Sequence, residues 1–460
     1  MSDENQKTYD IIVVGAGPAG MSAATAAAEV GASVLLLDEQ PSPGGQIYRG
    51  ILSAPEARAK ILGSSYTEGL AITKAFSQSS VTYQPLATVW QFDESGSLIY
   101  SVEGEVTQAK GSHILLATGA LERPVPIPGW TLPGVMTAGA AQILLKSSGV
   151  VPDNAVLAGS GPLLYLLATQ LIRAGSPPKA LVETQTFKDA LAAMRFFPLR
   201  FSAWKMLAKG FLMMREIKKA GIPRYKAAKG FRAEGSKQVE ALSFDHKEER
   251  LRLECETLLL HQGVVPNTQI TRSLRVQHRW NKRQACFHPF TNGVGLTTNS
   301  NYSIIGDGRA IAGAQVAVLE GRSAGSFVAA SLGFNVDPAD VFKQQKIIKK
   351  ERAVRSFLDR LYQPPKEILT PANGATVCRC EEVTAGKIRE YATIGCLGPN
   401  QTKAFGRSGM GPCQGRYCGL TVTEILAEEN KSSQQETGAY RIRSPIKPVT
   451  LSEIAQCSED

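Results

Sequence analysis

Tyr9-Asp-Ile-Ile-Val-Val14 runs directly into Gly15-Ala-Gly-Pro-Ala-Gly20, and an alanine-rich stretch continues from Met21 to Val30. The first run has the uniform apolarity of a strand buried on both faces. The second permits a tight turn and close backbone approach, and the third is helical in pattern. In this order, the glycines and the helix N-terminus form a cradle for a pyrophosphate. The next apolar strand, Ser33-Val-Leu-Leu-Leu37, ends at Asp38 and Glu39, about twenty residues past the turn, where an acid holds a ribose hydroxyl. A tight turn that binds nothing is the plainer alternative, and strand, helix and acid in register weigh against it.

A second nucleotide fold lies inside the first. Asn154-Ala-Val-Leu-Ala158 leads into Gly159-Ser-Gly-Pro-Leu-Leu164, with Glu183 after the apolar Ala180-Leu-Val182. Leu164 stands where a third glycine belongs, and Glu183 would repel a 2′-phosphate. The fold is expected there, but bound NAD is not, and NADP less so.

Cys378-Arg-Cys380 and Cys413-Gln-Gly-Arg-Tyr-Cys418, separated by 32 residues, hold half of the eight cysteines. Thiolates in two pairs suit a [2Fe–2S] core, whose irons each take two soft ligands. Zinc is the rival metal, but structural zinc sites space paired cysteines by two to four residues, and Cys378 and Cys380 have one between them. Nothing looks secreted, so a disulfide framework is disfavoured. Gly406, Gly409, Gly411, Gly415 and Gly419 let the backbone curl around the second pair. Cys396, in Ile394-Gly-Cys-Leu397, reads as packing. His261, behind the apolar Leu258-Leu-Leu260, reads as structural rather than as a general base.

The chain has 460 residues, too long for one core, with 43% hydrophobic content, 43 glycines and a net charge of +10. Residues 184–230 carry eleven Lys and Arg against Asp189 and Glu216, which is +9 of that excess. The same segment mixes Phe196, Phe197, Phe201, Trp204, Met206, Leu207, Phe211, Met213 and Met214 with Lys205, Lys209, Arg215, Lys218 and Lys219. That is the pattern of a basic amphipathic helix. It reads either as helices packed on their own domain or as a docking surface for a partner subunit, with peripheral contact to an anionic membrane next in order. No nucleic-acid partner is expected. The polar N-terminus lacks a signal core, so the expected location is cytoplasmic, with membrane association as part of a complex.

Several stretches resemble known families. Pro43-Gly-Gly-Gln-Ile47, Leu116-Ala-Thr-Gly-Ala-Leu-Glu-Arg-Pro124 and Tyr302-Ser-Ile-Ile-Gly-Asp-Gly308 resemble the flavin-side elements of two-dinucleotide-domain flavoproteins such as thioredoxin and glutathione reductase. Val377–Thr384 with Arg407–Cys418 resembles the bacterioferritin-associated-ferredoxin-like [2Fe–2S] domain, although the free-standing ferredoxin has a two-residue gap where this chain has four. Nearly the whole chain resembles the A or alpha subunit of heteromeric amine-oxidising flavoenzymes: the opine oxidases, D-hydroxyproline and L-proline dehydrogenases, and hydrogen cyanide synthase. Gly45-Gln-Ile-Tyr48, Gly159-Ser-Gly-Pro-Leu-Leu164 and His261-Gln-Gly-Val-Val-Pro-Asn267 carry that match with the cysteine module.

The resemblance implies an α/β fold with two dinucleotide-binding domains and a small, mainly helical C-terminal [2Fe–2S] domain. The boundaries expected are a flavin half at 1–145, an inserted NAD-like domain at 146–270, a second flavin half at 271–335, a connecting helix at 336–370, the cluster domain at 371–430 and an extended tail at 431–460. It implies FAD held by Gly15, Gly17, Pro18, Ala19, Gly20, Asp38, Glu39, Gly45, Gln46, Ala117, Thr118, Gly119, Gly306 and Asp307, with Asp307 on the ribityl chain. Cys378, Cys380, Cys413 and Cys418 are the implied cluster ligands, and FMN at a subunit interface is a further cofactor to consider. The first site could also take another adenine nucleotide. The implied function is electron transfer beside a flavoprotein subunit that oxidises the amine. A small third subunit is a further partner to consider, and the electron acceptor is a quinone or other carrier. No catalytic residue is assigned to this chain. A stand-alone NAD(P)H:acceptor reductase and an iron-sensing or assembly scaffold are the alternatives.

Overall fold

The computed structural model describes residues 7–197 and 201–457, without the side chains of 201–203 and 205. In the first sheet, β1 (Lys7–Val14) lies between β2 (Val34–Leu37) and β6 (Glu105–Leu116), parallel to both. β3 (Thr82–Gln84) extends the β2 side in parallel. β4 (Thr88–Phe92) and β5 (Ser97–Val102) run antiparallel beyond β6. β7 (Ala120–Glu122) then leaves this domain.

The second domain repeats the plan. β8 (Val135–Thr137), β9 (Ala155–Ser160), β10 (Ala180–Glu183), β11 (Arg224–Tyr225) and β15 (Thr257–Gln262) form a parallel sheet in the order β11-β10-β9-β15-β8. β12 (Lys229–Glu234), β13 (Ala241–His246) and β14 (Glu249–Glu254) form its antiparallel meander. β16 (Val264–Pro266) returns antiparallel to β7. The hairpin β17 (His278–Asn281) and β18 (Cys286–Pro289) follows, and β19 (Tyr302–Ile304) re-enters the first sheet beside β6.

The pairing of β8 with β15 moves the start of the inserted domain ahead of residue 146, because the helix Ala138–Ser148 packs in the second core. The expected single connecting helix is three helices, Pro338–Arg352, Arg355–Leu361 and Lys366–Leu369. They are held inward by buried Ile348, Phe357 and Ile368.

The basic segment forms the helices Phe187–Met194 and Phe201–Lys219. Met213, Met214 and Ile217 pack on their own domain, whereas Trp204 (58% exposed), Phe211 (67%) and Leu212 stay in solvent. The packed-helix reading therefore holds for one face, and the other face stays uncovered. The side chains of Phe201 and Lys205 lie outside the described residues.

The C-terminal module carries a short β-hairpin and the helices Ala385–Thr393, Pro399–Gly406 and Gly419–Glu429. The linker and tail expected after residue 430 belong to it. Gln434–Thr437 is helical, and Tyr440 (3% exposed) inserts its ring where a Cβ on Gly409 or Gly415 would stand, within 2.5 Å of it. Its hydroxyl bonds to Thr402 and Ser408. Beyond it, Ile446 N–H donates to Trp90 O of the flavin domain (2.8 Å). An apolar residue that fills a glycine-lined gap is worth more buried than exposed, which is why this segment is not a solvated tail.

Tyr440→Ala leaves a cavity and two hydroxyls short of a partner. It is expected to lower the stability of the module by about 3–5 kcal/mol. Urea unfolding followed by limited proteolysis within 371–457 measures this.

Candidate functional site

Register brings the first site together. Val14 pairs with Leu37 and with Leu116, and Leu116 pairs with Ile304, so four parallel strands end at one level. The loops that follow, at Gly15–Gly20, Asp38, Ala117–Gly119 and Ile305–Gly308, share the carboxyl edge of the sheet, where such folds bind nucleotides. The approach is close enough to require glycine. A Cβ on Gly15 would stand 2.6 Å from Ala117 O, one on Gly45 2.8 Å from Gly17 Cα, and one on Gly306 2.8 Å from Ala19 Cβ. Gly15, Gly45 and Gly306 also have positive φ.

The helix Pro18–Ala28 opens on Pro18 after Gly17, and Met21 N–H makes the first bond back to Gly17 O. The amides of Ala19 and Gly20 therefore point out of the helix start, free to meet an anion. Asp307 accepts from Ala312 and Gly313 N–H through Oδ1, and Thr118 and Gly119 meet the Gly306–Gly308 turn.

Three assigned residues differ in detail from expectation. Asp38 accepts from Ala16 and Gln40 N–H, so it braces the glycine loop as well as ending β2, and burial pushes its carboxyl upward. Glu39 turns to Lys447 (2.6 Å) and so toward the C-terminal segment. The carbonyl of Gln46 accepts from Lys146 Nζ (3.1 Å), so its backbone is tied to the helix Ala138–Ser148.

Lys146 and Arg49 escaped the sequence reading, since nothing in their own segments marks them. Lys146 is buried, bonded also to Gln142 Oε1, and burial with the Arg49 charge pulls it down to about 7. Arg49 donates to Gln40. Arg49, with the ammonium form of Lys146, puts positive charge beside the Gly44–Gln46 loop, which suits a ligand carrying a pyrophosphate. The cradle that Cβ atoms would fill, the free amides and these charges together fit FAD.

The second carboxyl edge is differently furnished. Gly159 pairs with Glu183 on one side and His261 on the other. Glu183 is wholly buried (0% exposed) and takes both Nε and Nη2 of Arg224 at 2.8 and 2.6 Å, with the Tyr165 hydroxyl as well. A carboxylate so engaged has little capacity left for a ribose, and breaking such a buried pair costs about 3–5 kcal/mol. His261 (2% exposed) bonds through Nδ1 to Glu122, whose other oxygen accepts from Gly139 N–H. Its ring lies against Gly161, where a Cβ would be 2.9 Å from Nε2. His261 thus closes the glycine loop of this domain, a structural role. Ser160 Oγ and Gln262 Oε1 are buried there without partners among the described residues.

The four module cysteines meet in cross-segment pairs. Cys380 Sγ lies 3.9 Å from Cys413 Sγ, and Cys378 is hydrogen-bonded to Cys418. The Cys418 thiol, foremost, then the backbone N–H groups of Gly409, Glu381 and Cys380 stabilise the Cys378 sulfur as a thiolate, lowering its pKa to about 5, while Cys418 is pushed well above the usual thiol range. A Cβ on Gly411 would stand 2.2 Å from Cys380 Cβ, so the loop closes tightly on this pair. Gln269 Nε2 donates to Cys413 O (3.0 Å), tying the loop to the flavin half. Among the described residues no three His, Cys, Asp or Glu side chains converge on a single-ion site. Two separate thiol pairs match the donor set of a two-iron core better than that of one tetrahedral ion. Cys396 is fully buried with its thiol on Gly398 O, which is packing. Cys255 and Cys286 are isolated, and burial pushes them up to about 11 and about 12, so they are poor nucleophiles.

The pyridine nucleotide-disulphide oxidoreductase family matches residues 9–321, and the sarcosine oxidase A3 domain matches residues 375–457. The A subunit of opine oxidase from Rhizobium meliloti is 41% identical over 461 residues, covering 97% of this chain and 87% of its own length. Hydrogen cyanide synthase subunit HcnB of Pseudomonas aeruginosa is 30% identical, covering 96% of this chain and 97% of its own. The crystal structure of L-proline dehydrogenase from P. horikoshii superposes with a TM-score of 0.72 at 17% identity, covering 98% of this chain and 80% of that one, which is a likeness of fold.

Gly45→Ala puts a side chain against Gly17 at a positive φ. The purified variant is expected to retain less than about a tenth of the wild-type flavin, since a misfit of about 1.4 kcal/mol is tenfold in affinity. Flavin absorbance per protein, with far-UV circular dichroism unchanged, is the measurement.

Proposed function

Because this chain belongs to the opine oxidase A-subunit family, within the pyridine nucleotide-disulphide oxidoreductases, we propose that it is the FAD- and [2Fe–2S]-containing electron-transfer subunit of a heteromeric dehydrogenase or oxidase. A partner flavoprotein subunit oxidises the carbon–nitrogen bond of a secondary amine or amino acid, of the opine, hydroxyproline, proline or glycine type. The observation that carries this reading is the pairing of Cys378 with Cys418 and Cys380 with Cys413 on a loop bonded to the flavin half through Gln269.

When bound, a flavin supplies two-electron chemistry and a two-iron cluster supplies one-electron steps. This chain's residues supply the holding. The Gly17–Gly45 cradle and the amides of Ala19 and Gly20 take the dinucleotide, and Asp307 at the 306–308 turn orients it. Cys378, Cys380, Cys413 and Cys418 would hold the cluster. Cys380 is exposed, with Met410 and Tyr417 about half exposed close to Cys413 and Cys418 in sequence, which suits electron exit to a carrier. The solvent-facing Phe187, Leu191, Trp204 and Phe211 suit a partner subunit.

Neither buried Cys255 nor Cys286 has a second thiol beside it among the described residues, which counts against a disulfide reductase. The Glu183–Arg224 pair counts against a stand-alone NAD(P)H reductase, so NADH is expected to leave the flavin oxidised in stopped-flow mixing. Rapid bleaching would restore that alternative.

Cys380→Ser is expected to remove most of the iron and acid-labile sulfide while the flavin stays, read by metal analysis and visible absorbance. Co-expression with the partner subunit is expected to give amine oxidation that this chain alone lacks. Full-rate turnover by the isolated chain would refute the division of labour.

A further inference from the structure

The flavin half and the cysteine module line a partly open cavity of about 50 Å³ that the functional reading does not use. Two arginines line it, one from each side. Arg272, on the short helix Gln269–Ser273, donates through Nε to Thr268 Oγ1 (3.1 Å) and lies 4.7 Å from the centre of the Phe287 ring. Arg416 comes from the loop between Cys413 and Cys418, and its Nε is buried without a partner among the described residues. Neither guanidinium enters an ion pair among those residues. Burial alone draws Arg272 down to about 10, with no carboxylate to offset it.

Arg416 Nε is a buried donor left unmet among the described residues, which is costly, and a guanidinium has four further N–H donors to offer. Its planar fork matches the paired oxygens of a carboxylate or phosphate. A cavity of this size holds roughly three to five waters at about 10–15 Å³ each, which is room for a small oxyanion but not for a nucleoside. Thr268 Oγ1 already accepts from Arg272 and keeps its own proton to donate. Arg272, Arg416 and Thr268 thus all offer donors.

We propose that this cavity binds a compact oxyanion, a phosphate or carboxylate group, clasped between Arg272 and Arg416 with Thr268 as a third donor. Because the two arginines come from different modules, the anion joins the cysteine module to the flavin half, beside the Gln269 to Cys413 bond. The inference does not rest on the electron-transfer reading, since it uses neither the cluster nor a partner subunit.

Thermal unfolding of the full-length protein, as purified, tests this at constant ionic strength, with chloride exchanged for inorganic phosphate in one arm and for acetate in the other. A saturable rise in melting temperature is expected in at least one arm. Phosphate alone would assign a phosphate group, and acetate a carboxylate. Arg272→Gln and Arg416→Gln are each expected to move the midpoint at least about tenfold to higher concentration, the loss of one charge-assisted contact. Should either fail to fold, Thr268→Val keeps both cations and is expected to weaken binding several-fold. No response to either anion, or an equal response in wild type and the folded variants, would overturn the proposal, leaving only water in the cavity.

Discussion

Two helices roughly 300 residues apart in sequence meet backbone to backbone, and the flavin site depends on that contact. Gly321 and Gly325 of Ala314–Ser331 lie against the backbone of Pro18–Ala28, so tightly that a Cβ on either would stand 2.1 and 2.2 Å from Ala19 O and Ala23 O. Only glycine allows that approach. It sets the second flavin half against the first, and with it the Gly306–Asp307 turn beside Gly15–Gly20. Without this packing the loops at the sheet edge would be separate turns rather than one cradle.

Charge is handled differently at the two nucleotide folds. At the first, buried Lys146 and partly buried Arg49 lie beside the Gly44–Gln46 loop, an arrangement suited to an incoming anion. At the second, Glu183 has its cation in Arg224 and His261 has its carboxylate in Glu122, so the polar groups are largely satisfied within the protein. Duplication of the fold has thus not duplicated the arrangement of charge, because the second site pairs its charged groups within the protein.

The cysteine module is attached by specific contacts. Gln269 meets the Cys413 loop, Lys447 meets Glu39, and Ile446 meets Trp90. Trp130 Nε1 donates to Thr376 O, two residues before Cys378. Lys447 and Ile446 both belong to the segment after residue 430, so the last stretch of chain acts as a strap that holds the module near the flavin edge. Its apolar residues Tyr440, Ile442 and Ile446 are what convert it from a tail into part of the core.

Much of the fold was legible from local pattern. The apolar run before Gly15, the helix after it and the repeat at Gly159 each depend on neighbours a few residues away, and the structure has them where their periodicity indicated. The cysteines marked themselves by spacing and by the glycines around them. What spacing left open was which sulfur faces which: Cys378 meets Cys418 and Cys380 meets Cys413, a choice set by the hairpin and loop that bring the segments together. The same holds for the His261–Glu122 bond across 139 residues, the Glu39–Lys447 pair, the Tyr440 plug and the Arg272–Arg416 cavity. Strands and turns were thus written in the order of residues along the chain. Which distant groups became partners was decided in three dimensions, because a contact between remote segments follows from how whole elements pack and leaves no periodic trace in either.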